Sequence, residues 1–198
     1  MKKFSILFLS LIIITSCNTN SDSSGYNSKK EPKNLLDKEE QLAHDFENNK
    51  LTNPFDFFRG LVAELSLINM HFVGIQKLKE DGSDSKEKMK DVENGYISSK
   101  KSYEKLLKIK PRGIGGDKFL RLATDFSKAS TDIFKAWIDA GEINFEKHRN
   151  LLNIVFEKET ALINFQDVYA KDNNFSIRGS VNTDEMYEES KKESENNK

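Results

Sequence analysis

The chain has 198 residues, 36% hydrophobic, 32% charged and 10% aromatic, enough apolar side chain for one buried core and enough charge to solvate its outside. Lys and Arg number 31 against 32 Asp and Glu, a formal net charge of -1, a balance that argues against nucleic acid, which rewards clustered positive charge, so no nucleic-acid partner is expected. With 1 cysteine, any fold must stand without an internal disulfide.

Lys2 and Lys3 precede an apolar run from Phe4 to Ile14, the charge and length pattern of an export signal. As a helix this run extends about 16 Å, half the hydrocarbon core of a bilayer, which is too short for a stable span. The next residues, Ile14-Thr15-Ser16-Cys17, place an aliphatic residue and two small ones before the cysteine. They resemble the lipobox of bacterial lipoproteins. The resemblance implies cleavage after Ser16, a thioether diacylglycerol on the Cys17 sulfur and an acyl chain such as palmitate on the new terminus. Each buried CH₂ contributes about 0.8 kcal/mol, so one chain holds marginally and two or more hold durably. Residues 1–16 are read as a signal peptide, and their removal takes Lys2 and Lys3 from the mature chain. Asn18 after the cysteine implies, by enteric-type sorting, the outer membrane in preference to the inner one, on its periplasmic or its surface face.

Residues 18–34 are rich in Ser, Asn and Lys, include Gly25 and Pro32, and hold almost nothing to bury, so a flexible tether is expected. Its r.m.s. reach is roughly 20 to 25 Å. A bundle domain is expected over 35–177, beginning with a short helix through Leu35, Leu36, Leu42 and Phe46, and a charged, disordered tail over 178–198.

Four longer segments repeat apolar residues at three- and four-residue steps. The first runs from Pro54 to Lys79 with Asn53 as its N-cap, and its stripe is Phe58, Leu61, Leu65, Ile68, Phe72 and Ile75. Ser85 to Lys110 follows, with Asp84 as cap, Glu87 three residues on and Pro111 as stop. Its inward residues are Met89, Val92, Tyr96, Tyr103, Leu106 and Leu107. A third segment, Asp117 to Ala140, carries Phe119, Leu122, Phe126, Ala129, Ile133, Phe134, Trp137 and Ile138 before Gly141. The fourth, Asn144 to Lys171, presents Phe145, Leu151, Leu152, Val155, Phe156, Leu162, Ile163, Phe165 and Tyr169. Rods of matched length with short links pack antiparallel, so the fold class is all-α: an antiparallel four-helix bundle with an extra N-terminal helix.

Chemistry leaves few marks. A di-metal carboxylate bundle needs Glu three residues before His on two helices, whereas His44, His71 and His148 follow Gln41, Ile68 and Phe145. Neither a haem-attachment motif nor a zinc-binding His-Glu-x-x-His occurs. No metal, no catalytic residue and no cofactor beyond the lipid on Cys17 is expected. Glu64 and His71 share a face of the first long helix, beside Leu67, Ile68 and Leu78, where a ligand could meet a carboxylate and an imidazole. Bordering the core and bonding to neighbouring helices is the commoner fate of such a pair. The turn from Lys110 to Lys118 is basic and glycine-rich and precedes a helix start; it lacks the phosphate-loop ending, and Arg112 and Lys118 are its candidates for a polar contact. Phe55, Phe57 and Phe58 cluster at a helix start, where they either face a partner or thicken the core.

Lipobox, tether and helical body together resemble small helical surface and periplasmic lipoproteins of bacteria. The resemblance implies a non-enzymatic envelope module for binding, adhesion or envelope organisation, held to the membrane by lipid and facing a protein partner. The alternative is a small-molecule or metal-binding bundle with an interior polar site near Glu64 and His71.

Overall fold

Helix boundaries in this chain follow from a few residues that satisfy or terminate backbone groups. In the computed structural model, which describes residues 35–80 and 85–177, Asn53 Oδ1 accepts the Asp56 N–H at 2.7 Å and Asn53 Nδ2 donates to the Asp56 carboxylate at 2.6 Å. Pro54 then fills the first helical position, where a missing N–H does no harm. The elements are α1 (Leu35–Glu47), α2 (Pro54–Glu80), α3 (Ser85–Leu106), α4 (Gly116–Ala140) and α5 (Arg149–Asp172). Among the described residues all regular structure is helical. The segments expected from the sequence to form a signal peptide, lipobox and tether, the expected Asp84 cap and the expected tail over 178–198 lie outside the described residues.

Two boundaries differ from the sequence expectation, each for a local reason. Residues 107–110 were expected to continue α3, but Lys108 N–H bonds to Lys105 O at 2.9 Å and Ile109 N–H to Leu106 O at 3.2 Å, which tightens and ends the helix. Asn49 draws the released backbone aside, donating to Lys108 O at 3.0 Å and accepting the Lys110 N–H at 2.6 Å. Ile109 thereby takes the inward place, 7% exposed, and Leu107, expected in the core, is 61% exposed. The last helix was expected from Asn144 and begins at Arg149 instead. Asn144 Oδ1 caps a separate turn by accepting the Lys147 N–H at 2.9 Å, and Arg149 N–H reaches back to Glu146 O, so that turn closes before α5 opens.

Chain direction is plain from the partners across each seam. Glu64 faces Ser102, and a Cβ on Gly74 would meet Asp91, so α2 and α3 run opposite ways. Ser99 meets Thr131, and Gly95 lies under Phe134, which sets α4 against α3. Phe165 of α5 sits by Gly115 and Phe119 at the start of α4, and the ring closes where Phe58 stacks with Tyr169 and Asn69 bonds to Glu159. The result is an up-down-up-down bundle, with α1 laid against α2 by Phe46 over the bare backbone of Gly60.

The α2 stripe from Phe58 to Ile75 is at most 2% exposed throughout. Its apolarity is that of a core helix: Pro54–Gln76 has a mean hydropathy of 1.2 in a window of which 56% is buried. Aromatic rings gather at the two ends of the interior. Phe58, Phe119 and Tyr169 pack at one end, with centroids 5.7 and 4.9 Å apart; at the other Phe72 stacks on Phe134 at 4.5 Å and Trp137 meets both edge-on. Each such pair adds about 0.5 to 1.5 kcal/mol beyond its buried area. Phe57 and Phe58 are 1% exposed and Phe55 sets its edge against Phe175 at 5.3 Å, so this cluster thickens the core.

Candidate functional site

A surface depression lies where α3 gives way to α4, beside a turn shaped by glycine geometry. Gly113 and Gly115 have φ of 72° and 74°, a left-handed conformation that costs glycine little and other residues more. A side chain at Gly113 would collide with Asn173 and Pro54. The tight turn lets Phe119 N–H close on Gly115 O at 3.0 Å, starting α4 without a side-chain cap. Long-range bonds then fix this end of the bundle. Arg112 Nε donates to Leu51 O at 2.6 Å, Tyr169 Oη donates to Arg112 O at 2.7 Å, and Asn173 exchanges bonds of 2.8 and 2.9 Å with the Ile114 backbone.

Beside this rigid turn lies an open groove of about 290 Å³. Its apolar lining is Leu106, Leu107, Ile109, Pro111 and Leu120, and its polar lining is Asp117, Arg121, Thr124 and Asp125. The Thr124 hydroxyl donates to Leu120 O at 2.7 Å. Asp117, Arg121 and Asp125 stand one turn apart along α4, and none is held in an ion pair among the described residues. An apolar floor beside alternating charge suits a protein side chain better than a reacting small molecule.

The residues nominated from the sequence are occupied elsewhere. Glu64 accepts from Ser102 Oγ and Lys105 Nζ, both at 2.6 Å, and Lys105 reaches Glu47 at 2.6 Å as well, so one ammonium ties α1, α2 and α3 together. Burial opposes the Lys105 charge, yet hydrogen bonds to Glu47 and Glu64 outweigh it and hold its pKa above the usual lysine value. The Lys105 ammonium likewise draws Glu47 below the usual carboxylate range. His71 Nε2 lies 3.1 Å from Ser98 Oγ, and burial depresses its pKa against the opposing pull of Asp91. Glu64 and His71 thus make separate bonds to α3. Arg112 is bound to Leu51, Asn49 and Pro111 carbonyls, and Lys118 Nζ rests 4.4 Å from the centre of the Phe165 ring. Both basic side chains serve the end of the bundle that carries the groove.

Sequence reasoning passed over a buried polar pair inside the bundle. Glu159 of α5 is 4% exposed and Asn69 of α2 is 8% exposed, with Asn69 Nδ2 donating to Glu159 at 3.4 Å. The signal was present in the pattern, since Glu159 occupies an inward step of the stripe through Val155 and Leu162. Burial pushes the Glu159 carboxyl up to about 7, and the Asn69 amide counters only part of that. Among the described residues no cluster of His, Cys, Asp and Glu has the makings of a metal site. Comparison with protein-family models, with curated proteins and with solved structures finds no match for this chain.

Proposed function

We propose that this protein is a lipid-anchored, non-enzymatic module of the bacterial envelope that takes hold of a protein partner through the groove between α3 and α4. The observation that carries the reading is Leu107, a leucine 61% exposed at the mouth of an apolar groove whose backbone is locked from three sides. A groove on a fixed backbone lowers the ordering cost of an inserted side chain, and interfaces concentrate their affinity in a few such anchors. The two aspartates of the rim favour a partner that offers an apolar side chain with a Lys or Arg beside it. Support for a binding role over a catalytic one comes from the interior, where aromatic rings fill both ends and the nominated Glu64 and His71 are bonded to α3. Cys17 supplies the anchor in this reading and residues 18–34 the reach, with the outer membrane as its location.

Site-specific photocrosslinking in intact cells tests both halves. A photoreactive residue at Leu107 is expected to give one discrete protein adduct, while the same residue at Ile154, exposed on α5, gives none. The adduct should vanish with Leu120→Asp, and Cys17→Ser should abolish palmitate labelling and release the chain from the membrane. Equal adducts from both positions would remove the groove from the account, and palmitate in the Cys17→Ser protein would remove the anchor.

A further inference from the structure

Glu159 lies between Val155 and Leu162 on the inward face of α5, and its hydrogen bond from Asn69 is long at 3.4 Å. Asn69 Oδ1, in the same amide, is buried with no partner. Two turns further along that face of α5, Gln166 Nε2 is buried and unpartnered as well. An ionised carboxylate removed from water with one long bond is strongly disfavoured, and so is an orphaned carbonyl oxygen beside it. A proton on the carboxyl relieves both at once. We propose that Glu159 is a protonated acid in the folded bundle, forming a two-bond ring with Asn69 that latches α5 to α2 in acid and loosens when the proton leaves. The amide Nδ2–H donates to one carboxyl oxygen, and the carboxyl O–H donates to Asn69 Oδ1. A planar amide and a planar carboxylic acid match in this way, donor to acceptor on both edges.

The charged groups on the neighbouring helices either have other partners or face the groove. On α2, Glu64 and His71 bond to Ser102 and Ser98 of α3; on α4, Lys128 pairs with Asp132, and Asp125 lines the groove; on α5, Lys158 pairs with Glu157. Burial and the Asn69 amide are accordingly the influences that act on Glu159. With an ordinary value of 4.5 and a folded value of about 7, the folded state keeps a proton that the unfolded chain gives up. Stability from this group is therefore full below pH 4.5 and is lost as pH rises to about 7. His71 works the other way, since burial disfavours its charged form and acid weakens its site. The informative quantity is the difference between two proteins that share His71.

Glu159→Gln supplies that comparison in the full chain, because a glutamine amide can make both bonds to Asn69 and has no proton to lose. Denaturant titrations of both proteins should show the wild-type folding constant, relative to the variant, falling by up to about tenfold per pH unit between 4.5 and 7. Infrared spectra at about pH 6, where ordinary carboxyls are ionised, should show a protonated-carboxyl carbonyl band in the wild type alone. A stability ratio that ignores pH overturns the proposal. Should Glu159→Gln fail to fold, the wild-type band decides alone: its presence supports the latch, and its absence ends it.

Discussion

The seam between α3 and α4 and the seam between α2 and α5 solve the same packing problem in opposite ways. Across the first, small residues let the backbones close: Gly95 leaves room for the Phe134 ring, and Ser99 and Ser127 take the place of larger side chains. Their hydroxyls return to nearby backbone, Ser99 Oγ to Tyr96 O at 3.2 Å and Ser127 Oγ to Ala123 O at 3.0 Å, so polarity is satisfied locally. Across the second, two long polar side chains meet mid-span and leave an amide oxygen unpaired. A seam of glycine and hydroxyl side chains, bonded to nearby backbone and, in the Thr131–Ser99 bond, to each other across it, is indifferent to pH, whereas one built on a buried acid depends on where its proton is. That contrast assigns rigidity to the α3–α4 side, where the groove lies, and adjustability to the opposite side.

Perturbations of the two seams should rank accordingly. Phe134→Ala strikes the tight seam hardest, since this ring is 0% exposed, covers Gly95 and stacks on Phe72 at 4.5 Å. Such a truncation costs about 3 to 5 kcal/mol, read by chemical denaturation. Next comes pH acting on the other seam. Raising it from 4.5 to 7 should remove stability on the order of 3 kcal/mol from the wild type relative to Glu159→Gln. Smallest is Gly95→Ala, which sets a Cβ 2.7 Å from Phe134 ring carbons and forces the ring to give. Overpacking of this kind costs about 1 to 3 kcal/mol, and the gain of about 1 kcal/mol in helix propensity offsets part of it. A net loss of about 1 kcal/mol in thermal or denaturant unfolding should remain, and it should not change with pH.

What the sequence disclosed and what it withheld divide along sequence distance. The α2 stripe, the Asn53 cap and the glycine turn before α4 depend on residues a few positions apart, and all stand where the spacing of side chains put them. The exposure of Leu107 depends on Asn49, which bonds Lys108 from 59 residues away, and no local pattern reports that contact. Similarly, Glu159 interrupts an otherwise apolar stripe, a departure visible in the residues themselves, but its partner Asn69 is 90 positions off on another helix. The groove needs α3, the turn and α4 together, so no single segment of the sequence announces it. Arg112 and Lys118 hold its end of the bundle in place while the apolar Leu106, Leu107 and Leu120 form its surface.

Hydrogen exchange followed by mass spectrometry tests the contrast between the seams most directly, because it reads each helix separately. With rates corrected for the intrinsic effect of pH, amides of α5 around Glu159 should lose protection between pH 4.5 and 7 while those of α3 and α4 facing each other keep theirs. Protection that falls equally in all helices, or that rises in α5, would contradict the assignment of the adjustable seam to the buried acid.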